Sequence, residues 1–252
     1  LHSNASDNFY LQDSNSKTCY IVDLKTLLNS RKFVPDEQFR YSSEVLPTSD
    51  LCLLDDNRYI GYHMWYLDDK QFSKVDSPLG YYQKGEDSGK GMDDFPFFVA
   101  SVNGARLFKN PQTQELWTAD MHRDAIRIYN DSLKQIRELV GPDHFSPEYT
   151  RRQIDAPVAF VTFADECDYH AYTDYYITDK HIYLVYEGNK HFDMKNLSPV
   201  EIFKLDFDGN LLCNYKPDRY VYSISINKKE DTLYCASRSS VMEPPVILKY
   251  KL

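Results

Sequence analysis

Residues 9–23 read FYLQDSNSKTCYIVD and residues 116–130 read LWTADMHRDAIRIYN. The two stretches align without a gap. Each opens on an apolar run, reaches an Asp (Asp13, Asp120), crosses a polar stretch, and resumes as an alternating run that stops at Asp23 or Asn130. Alternation with period two places successive side chains on opposite faces of a strand, so each copy predicts a β-hairpin. Looser copies follow the same plan: residues 58–76 (RYIGYHMWYLDDKQFSKVD), residues 181–206 (HIYLVYEG, a polar insert, VEIFKLD) and residues 232–252 (TLYCASRSS, a Pro-containing insert, VILKYKL). With Phe9, Tyr59, Leu116, Ile182 and Leu233 taken as equivalent, the steps are 50, 57, 66 and 51 residues.

Further short strands are predicted beside the hairpins, at residues 50–54, 134–140, 172–178, 211–216 and 221–227. The Asp208-Gly209-Asn210 turn leads into one of them, its Gly suited to positive φ. Residues 132–140 (SLKQIRELV) also fit an amphipathic turn or two, but a strand is expected because a fourth strand is due there. Residues 24–31 (LKTLLNSR) predict a short helix. The repeated unit is thus about four antiparallel strands, the blade of a β-propeller. A β-sandwich places turn signals every 8–12 residues or so, much closer than these steps. The expectation is an all-β chain, residues 1–252 forming a single β-propeller domain of four-stranded antiparallel blades.

Composition supports strands. Of 252 residues, 21 are Tyr and 14 Phe, types that suit a pleated, half-buried surface. Only 9 are Gly, so Asp and Asn must carry much of the turn chemistry. Lys and Arg number 29 against 38 Asp and Glu, a formal charge of −9. That acidity argues against nucleic acid and anionic membrane as main partners. No apolar run approaches the roughly 20 residues of a membrane span. The polar start, residues 1–8, is not a signal peptide, and a processed N-terminus has the same look. Five cysteines, Cys19, Cys52, Cys167, Cys213 and Cys235, show no C-x-x-C spacing and read as buried free thiols.

The stretch ELWTADMHRDAIRIYNDSLKQIRELVGPD resembles a blade of NHL-like six-bladed propellers: a strand ending in Ala-Asp, a polar turn, then a second strand and an outer one. AYTDYYITDKHIYLVYEG followed by EIFKLDFDGNLL is similar to the TolB-like six-bladed propeller proteins of Bacteroidetes, mostly of unassigned function. The resemblance extends from about residue 9 to 252. It implies six blades and an exported protein, periplasmic or lipid-anchored. Five hairpins are visible, so the chain has five blades by count and six by resemblance. A degenerate blade around residues 156–163 (APVAFVTF), inside the 66-residue step, would reconcile the two.

The motifs of strong chemistry are missing: there is no G-x-S-x-G, H-E-x-x-H, P-loop or G-x-G-x-x-G. No cofactor and no metal is called for. His63, His122 and His191 fall in or beside the hairpin crossovers, as do Arg123, Arg238, Trp65 and Tyr66. In a propeller the crossovers share a face with the loops linking blades, and convergent polar groups at such a mouth are the default site. Arg offers a fork of donors to carboxylate or phosphate. Trp and Tyr offer flat contact to sugars or peptides. The acidic run Asp165, Glu166, Asp168 with His170 matches no EF-hand spacing and reads as a solvated loop rather than a Ca²⁺ site or a glycosidase pair. In the Tyr-rich run 169–186, period two puts Tyr172 and Tyr175 on opposite faces. The leading expectation is a non-enzymatic, monomeric propeller binding a protein, peptide or glycan at its axial face through His63, Trp65, His122, Arg123, His191 and Arg238. The alternative is a propeller-scaffold hydrolase or lyase, lactonase-like or glycan-cleaving.

Overall fold

Both gapless copies fold into the hairpins their alternation predicts. The computed structural model describes residues 2–3, 8–54, 56–64, 77–87, 101–155, 158–163, 170–188 and 197–252. Residues 9–23 form β2 (Asn8–Asp13) and β3 (Thr18–Asp23), flanked by β1 (His2–Ser3) and β4 (Glu37–Arg40). Residues 116–130 form β9 (Leu116–Asp120) and β10 (Ala125–Tyr129), flanked by β8 (Ala105–Lys109) and β11 (Gln135–Val140). The same antiparallel meander recurs in β14 (Tyr172–Ile177), β15 (Ile182–Tyr186), β16 (Glu201–Leu205) and β17 (Leu211–Tyr215). Three-stranded versions are β5 (Cys52–Leu53), β6 (Arg58–Tyr62) and β7 (Leu79–Gln83), and β18 (Val221–Ile226), β19 (Thr232–Ser237) and β20 (Val246–Lys251). Among the described residues one α-helix occurs, α1 (Leu24–Ser30); Asp23 caps it, accepting Thr26 N at 2.6 Å, and Arg31 closes it in a left-handed conformation.

The chain divides into two compact units, Leu1–Ser101 with Gln153–Phe160, and Val102–Arg152 with Val161–Leu252. In the first, the sheets β1–β4 and β5–β7 enclose Tyr10, Cys19, Phe39, Tyr41, Val45, Leu51 and Tyr59. In the second, β15 lies at the centre of the packing and is buried along its whole length. Its Ile182, Leu184 and Tyr186 meet Trp117, Ile126 and Ile128 of the β8–β11 sheet, while Tyr183 and Val185 point the other way, to Ile224, Leu233 and Cys235. Burying such side chains contributes about 2–3 kcal/mol each.

Asx chemistry does the work that scarce Gly cannot. Asn110, Asn130, Asp206 and Asn227 each accept two backbone N–H bonds across a tight turn through one side-chain oxygen. Left-handed turn positions fall on Gln114, Leu133 and Glu230 as well as on Gly209.

Two expectations are corrected. The 66-residue step does hold strands, β12 (Tyr149–Asp155) and β13 (Val158–Phe163), but they form a separate two-stranded sheet, not a blade between their neighbours. The sheets on either side pack directly on each other: β8 and β14 are adjacent, and the Phe108 and Tyr175 rings lie 4.7 Å apart. Tyr172 and Tyr175 do not face opposite ways. A bulge between Tyr172 and Asp174 shifts the register, so Tyr172 pairs with Tyr186 and Tyr175 with Leu184, and both rings join one core.

Candidate functional site

In an antiparallel meander the start of the first strand, the end of the second and the start of the third share one edge. In the second unit this edge gathers the approaches to β8, β14 and β18 with the crossovers after β9, β15 and β19. Backbone bonds stitch it together: Met121 N donates to Gly104 O (2.8 Å), Ala171 N to Met121 O (2.7 Å) and Glu187 N to Ala171 O (2.8 Å).

The three first strands run side by side beneath this edge. Arg106 Nε on β8 donates to Thr173 O on β14 at 2.7 Å, and Ile224 N on β18 donates to Asp174 Oδ2 at 2.9 Å. Burial holds the Asp174 carboxyl above its usual range, against the pull of the Ile224 and Ser223 donors and the Arg106 charge. β14 and β18 carry bulges at the same level, leaving Thr173 and Tyr222 outside the ladder. The Thr173 hydroxyl is buried and has no hydrogen-bond partner among the described residues.

Asp124 anchors the rim. Its Oδ2 accepts Asp143 N (2.7 Å) and His144 N (2.8 Å), and the Tyr172 hydroxyl donates to its Oδ1 (3.2 Å). Gly141 makes this approach feasible: a Cβ there would sit 1.8 Å from Asp124 Oδ1.

The charges on this face are largely satisfied within the protein. Asp120, 1% exposed, holds Arg123 Nη1 at 3.1 Å and Arg127 Nη1 at 3.2 Å on one oxygen. Glu187 accepts the Tyr220 hydroxyl at 2.7 Å and faces His170 Nδ1 at 3.3 Å. Burial and the Glu187 charge push the Tyr220 phenol well up, so it stays a donor. The His122 and His170 rings meet edge to face at 5.4 Å. Arg238 differs: its guanidinium lies 5.2 Å above the Tyr222 ring, its Nε is buried without a hydrogen-bond partner, and it forms no ion pair among the described residues.

Of the six residues expected from sequence, His122, Arg123 and Arg238 come to this face. His63 lies in the first unit, half-buried. It shares a 2.5 Å hydrogen bond with the Tyr82 hydroxyl and packs so closely on Gly80 that a Cβ there would fall 2.5 Å from its Cε1. Burial pushes its pKa down to about 4. Trp65 and His191 lie outside the described residues, as do Tyr66, Asp165, Glu166, Cys167 and Asp168. Sequence reasoning did not select Glu187, Tyr220 or Arg127. Asp120 was visible as the Asp closing the repeated strand, but its counterpart Asp13 caps an exposed turn through Asn15 and Ser16, so the alignment does not separate the two roles. Among the described residues no three His, Cys, Asp or Glu side chains converge as metal ligands, and no helix is long and apolar enough to cross a membrane.

No curated protein matches the sequence significantly. Among solved structures, a DUF4221 family member from Bacteroides vulgatus superposes with a TM-score of 0.52 at 8% identity, over 98% of this chain and 76% of that one. That likeness speaks for the fold alone. BBS1N, solved in complex with ARL6DN, reaches 0.41 at 11% identity, over 89% and 52% of the two chains, too distant to carry an argument. A family model described as TolB-like 6-blade propeller-like matches residues 7–229. That match spans most of the sequence, and the chain belongs to the TolB-like 6-blade propeller-like family.

Proposed function

We propose that this propeller is a non-enzymatic binding module that takes a protein, peptide or glycan at the crossover face of its second unit, with His122, Arg123 and Arg238 in the contact surface. The carrying observation is the contrast in charge satisfaction. Asp120 and Glu187 are engaged by Arg123, Arg127, Tyr220 and His170, an arrangement that holds a surface in shape. Arg238 alone among the charges named on this face has neither an ion pair nor a hydrogen bond among the described residues. A half-buried guanidinium with no acceptor of its own keeps its Nη donors available to a ligand that supplies one. By their place in the hairpin repeat, His63 and Trp65 remain candidates for the corresponding crossover face of the first unit, and His191 for that of the second. Export to the periplasm belongs to the same proposal, since TolB-like proteins are typically periplasmic.

A photo-reactive benzoylphenylalanine at Met242, 91% exposed in the β19–β20 crossover, tests the face. The control position is Leu211, 58% exposed on the outer strand β17. Irradiation in a cell-envelope extract is expected to give a discrete adduct from position 242 and none from 211. Equal labelling at both, or none at either, refutes the assignment.

A further inference from the structure

We infer that Arg238 recognises a carboxylate of an acidic peptide, a deepening that rests on the crossover face being the binding surface. Three features set the ligand class. The guanidinium presents one positive charge that forms no ion pair among the described residues. Arg123 and Arg127 on this face are already engaged by Asp120. One charge matches a monoanionic carboxylate; a phosphate, carrying closer to two negative charges, calls for a cluster of cations.

The geometry of the fork comes next. Nε is the guanidinium nitrogen buried without a partner, so the Nη pair is the accessible edge. Tyr222, displaced from the ladder by the β18 bulge, supports the guanidinium plane from one side at 5.2 Å. A guanidinium seated on a ring and open at its Nη edge offers two parallel N–H groups at the spacing of two carboxylate oxygens.

The last feature separates peptide from glycan. Sugar rings stack on bare aromatic faces. Here Tyr172, Tyr186 and Tyr220 are 1%, 2% and 7% exposed, and the face of Tyr222 is taken by Arg238. The described part of the mouth therefore has no open platform for a pyranose.

The test is selection of a displayed random heptapeptide library on the immobilised full chain, followed by titration of the selected peptides. Selected sequences are expected to carry Asp or Glu at one fixed position. Exchange of that residue for Asn or Gln should weaken binding about ten- to hundredfold, the worth of a charged hydrogen-bonded pair. Arg238→Gln should weaken the acidic peptide equally and leave the amide peptide unchanged, with Arg238→Lys intermediate. Both variants should melt as the parent does, since Arg238 holds no other side chain by a hydrogen bond. Selected peptides that bind as tightly after amide exchange, or as tightly to Arg238→Gln, overturn the carboxylate while leaving the face a binding surface. Failure to select any peptide, or Arg238-dependent binding of oligogalacturonate in its place, overturns the peptide. Loss of the face itself is read separately, from the photo-adducts at position 242.

Discussion

Replacing Asp124 by Ala removes the acceptor that ties the rim of the second unit together. The carboxylate is 1% exposed and receives three hydrogen bonds, two from the backbone of Asp143 and His144 and one from Tyr172. Asp143 and His144 are themselves exposed. Their N–H groups regain water when the carboxylate goes, so each loss stands near the low end, about 1 kcal/mol. The Tyr172 hydroxyl is enclosed in the core and keeps its full desolvation cost, about 2 kcal/mol. The total is about 4 kcal/mol, or roughly 10 °C in melting temperature for a protein of this size. Asp124→Asn keeps an acceptor oxygen and should lose about half as much. Gly141→Ala reaches the same network from outside: its Cβ would overlap Asp124 Oδ1, forcing the carboxylate off its donors, for a cost of about 2–3 kcal/mol. Guanidinium unfolding followed by fluorescence is suited to all three, because fully buried Trp117 sits in the core that Tyr172 joins. A loss under about 1 kcal/mol for Asp124→Ala, with Gly141→Ala also near the parent, would refute the claim that this carboxylate organises the rim.

Three further outcomes follow from buried polar groups. His63 is held near 4, below the ordinary 6.5, so the unfolded chain takes up the proton first; its contribution to stability is complete above pH 6.5 and falls as pH drops toward 4, and His63→Gln should flatten that slope in unfolding titrations between pH 7 and 4. Burial would raise Glu230, but donors from Thr178, His181 and Lys204 outweigh it and hold its carboxyl below the usual 4.5. The stability it supplies is present above pH 4.5 and is lost as pH falls through the lower folded value. Glu230→Gln should cost about 2 kcal/mol at pH 7 and remove that acid limb; equal acid sensitivity in the variant contradicts the assignment. Thr118 is fully buried and its hydroxyl has no partner among the described residues, so Thr118→Val should raise stability by about 1 kcal/mol in the same unfolding assay, and a loss would show that the hydroxyl is satisfied.

How much of this was legible in the sequence depends on what each feature leaves behind in residue order. The hairpins are legible because β9 runs from Leu116 and Trp117 to a closing Asp120, because β10 alternates as Ile126, Arg127, Ile128, and because the crossovers fall on short runs such as MHRD and DSNSK. The strand at 135–140 could be preferred over a helix because the blade plan demanded one there, although its outward residues Ile136 and Val140 gave an ambiguous period. His122, Arg123 and Arg238 could be picked out because crossover position alone places them. Glu187 and Tyr220 could not, since one merely follows a strand and the other merely precedes one, and their meeting depends on two sheets lying side by side.

The bulges are the hardest feature to read and the one that matters most to the face. YTDYYI and VYSISI look like ordinary alternation, and nothing in either marks Thr173 or Tyr222 as the extra residue. An inserted residue flips the facing of everything before it relative to everything after it. On β14 the flip brings Tyr172 to the same core as Tyr175, which puts its hydroxyl on Asp124 and so fixes the rim. On β18 the extra residue is Tyr222, the ring on which Arg238 rests. A strict period-two reading would send Tyr172 away from Asp124. Two register shifts of one residue, invisible in composition and spacing, thus govern both the anchor of this face and its unpaired charge. If Arg238 is the recognition residue, deleting Tyr222 to restore a regular ladder should abolish peptide binding while Arg238 itself remains in the chain, and retained binding would show that the bulge has no part in presenting it.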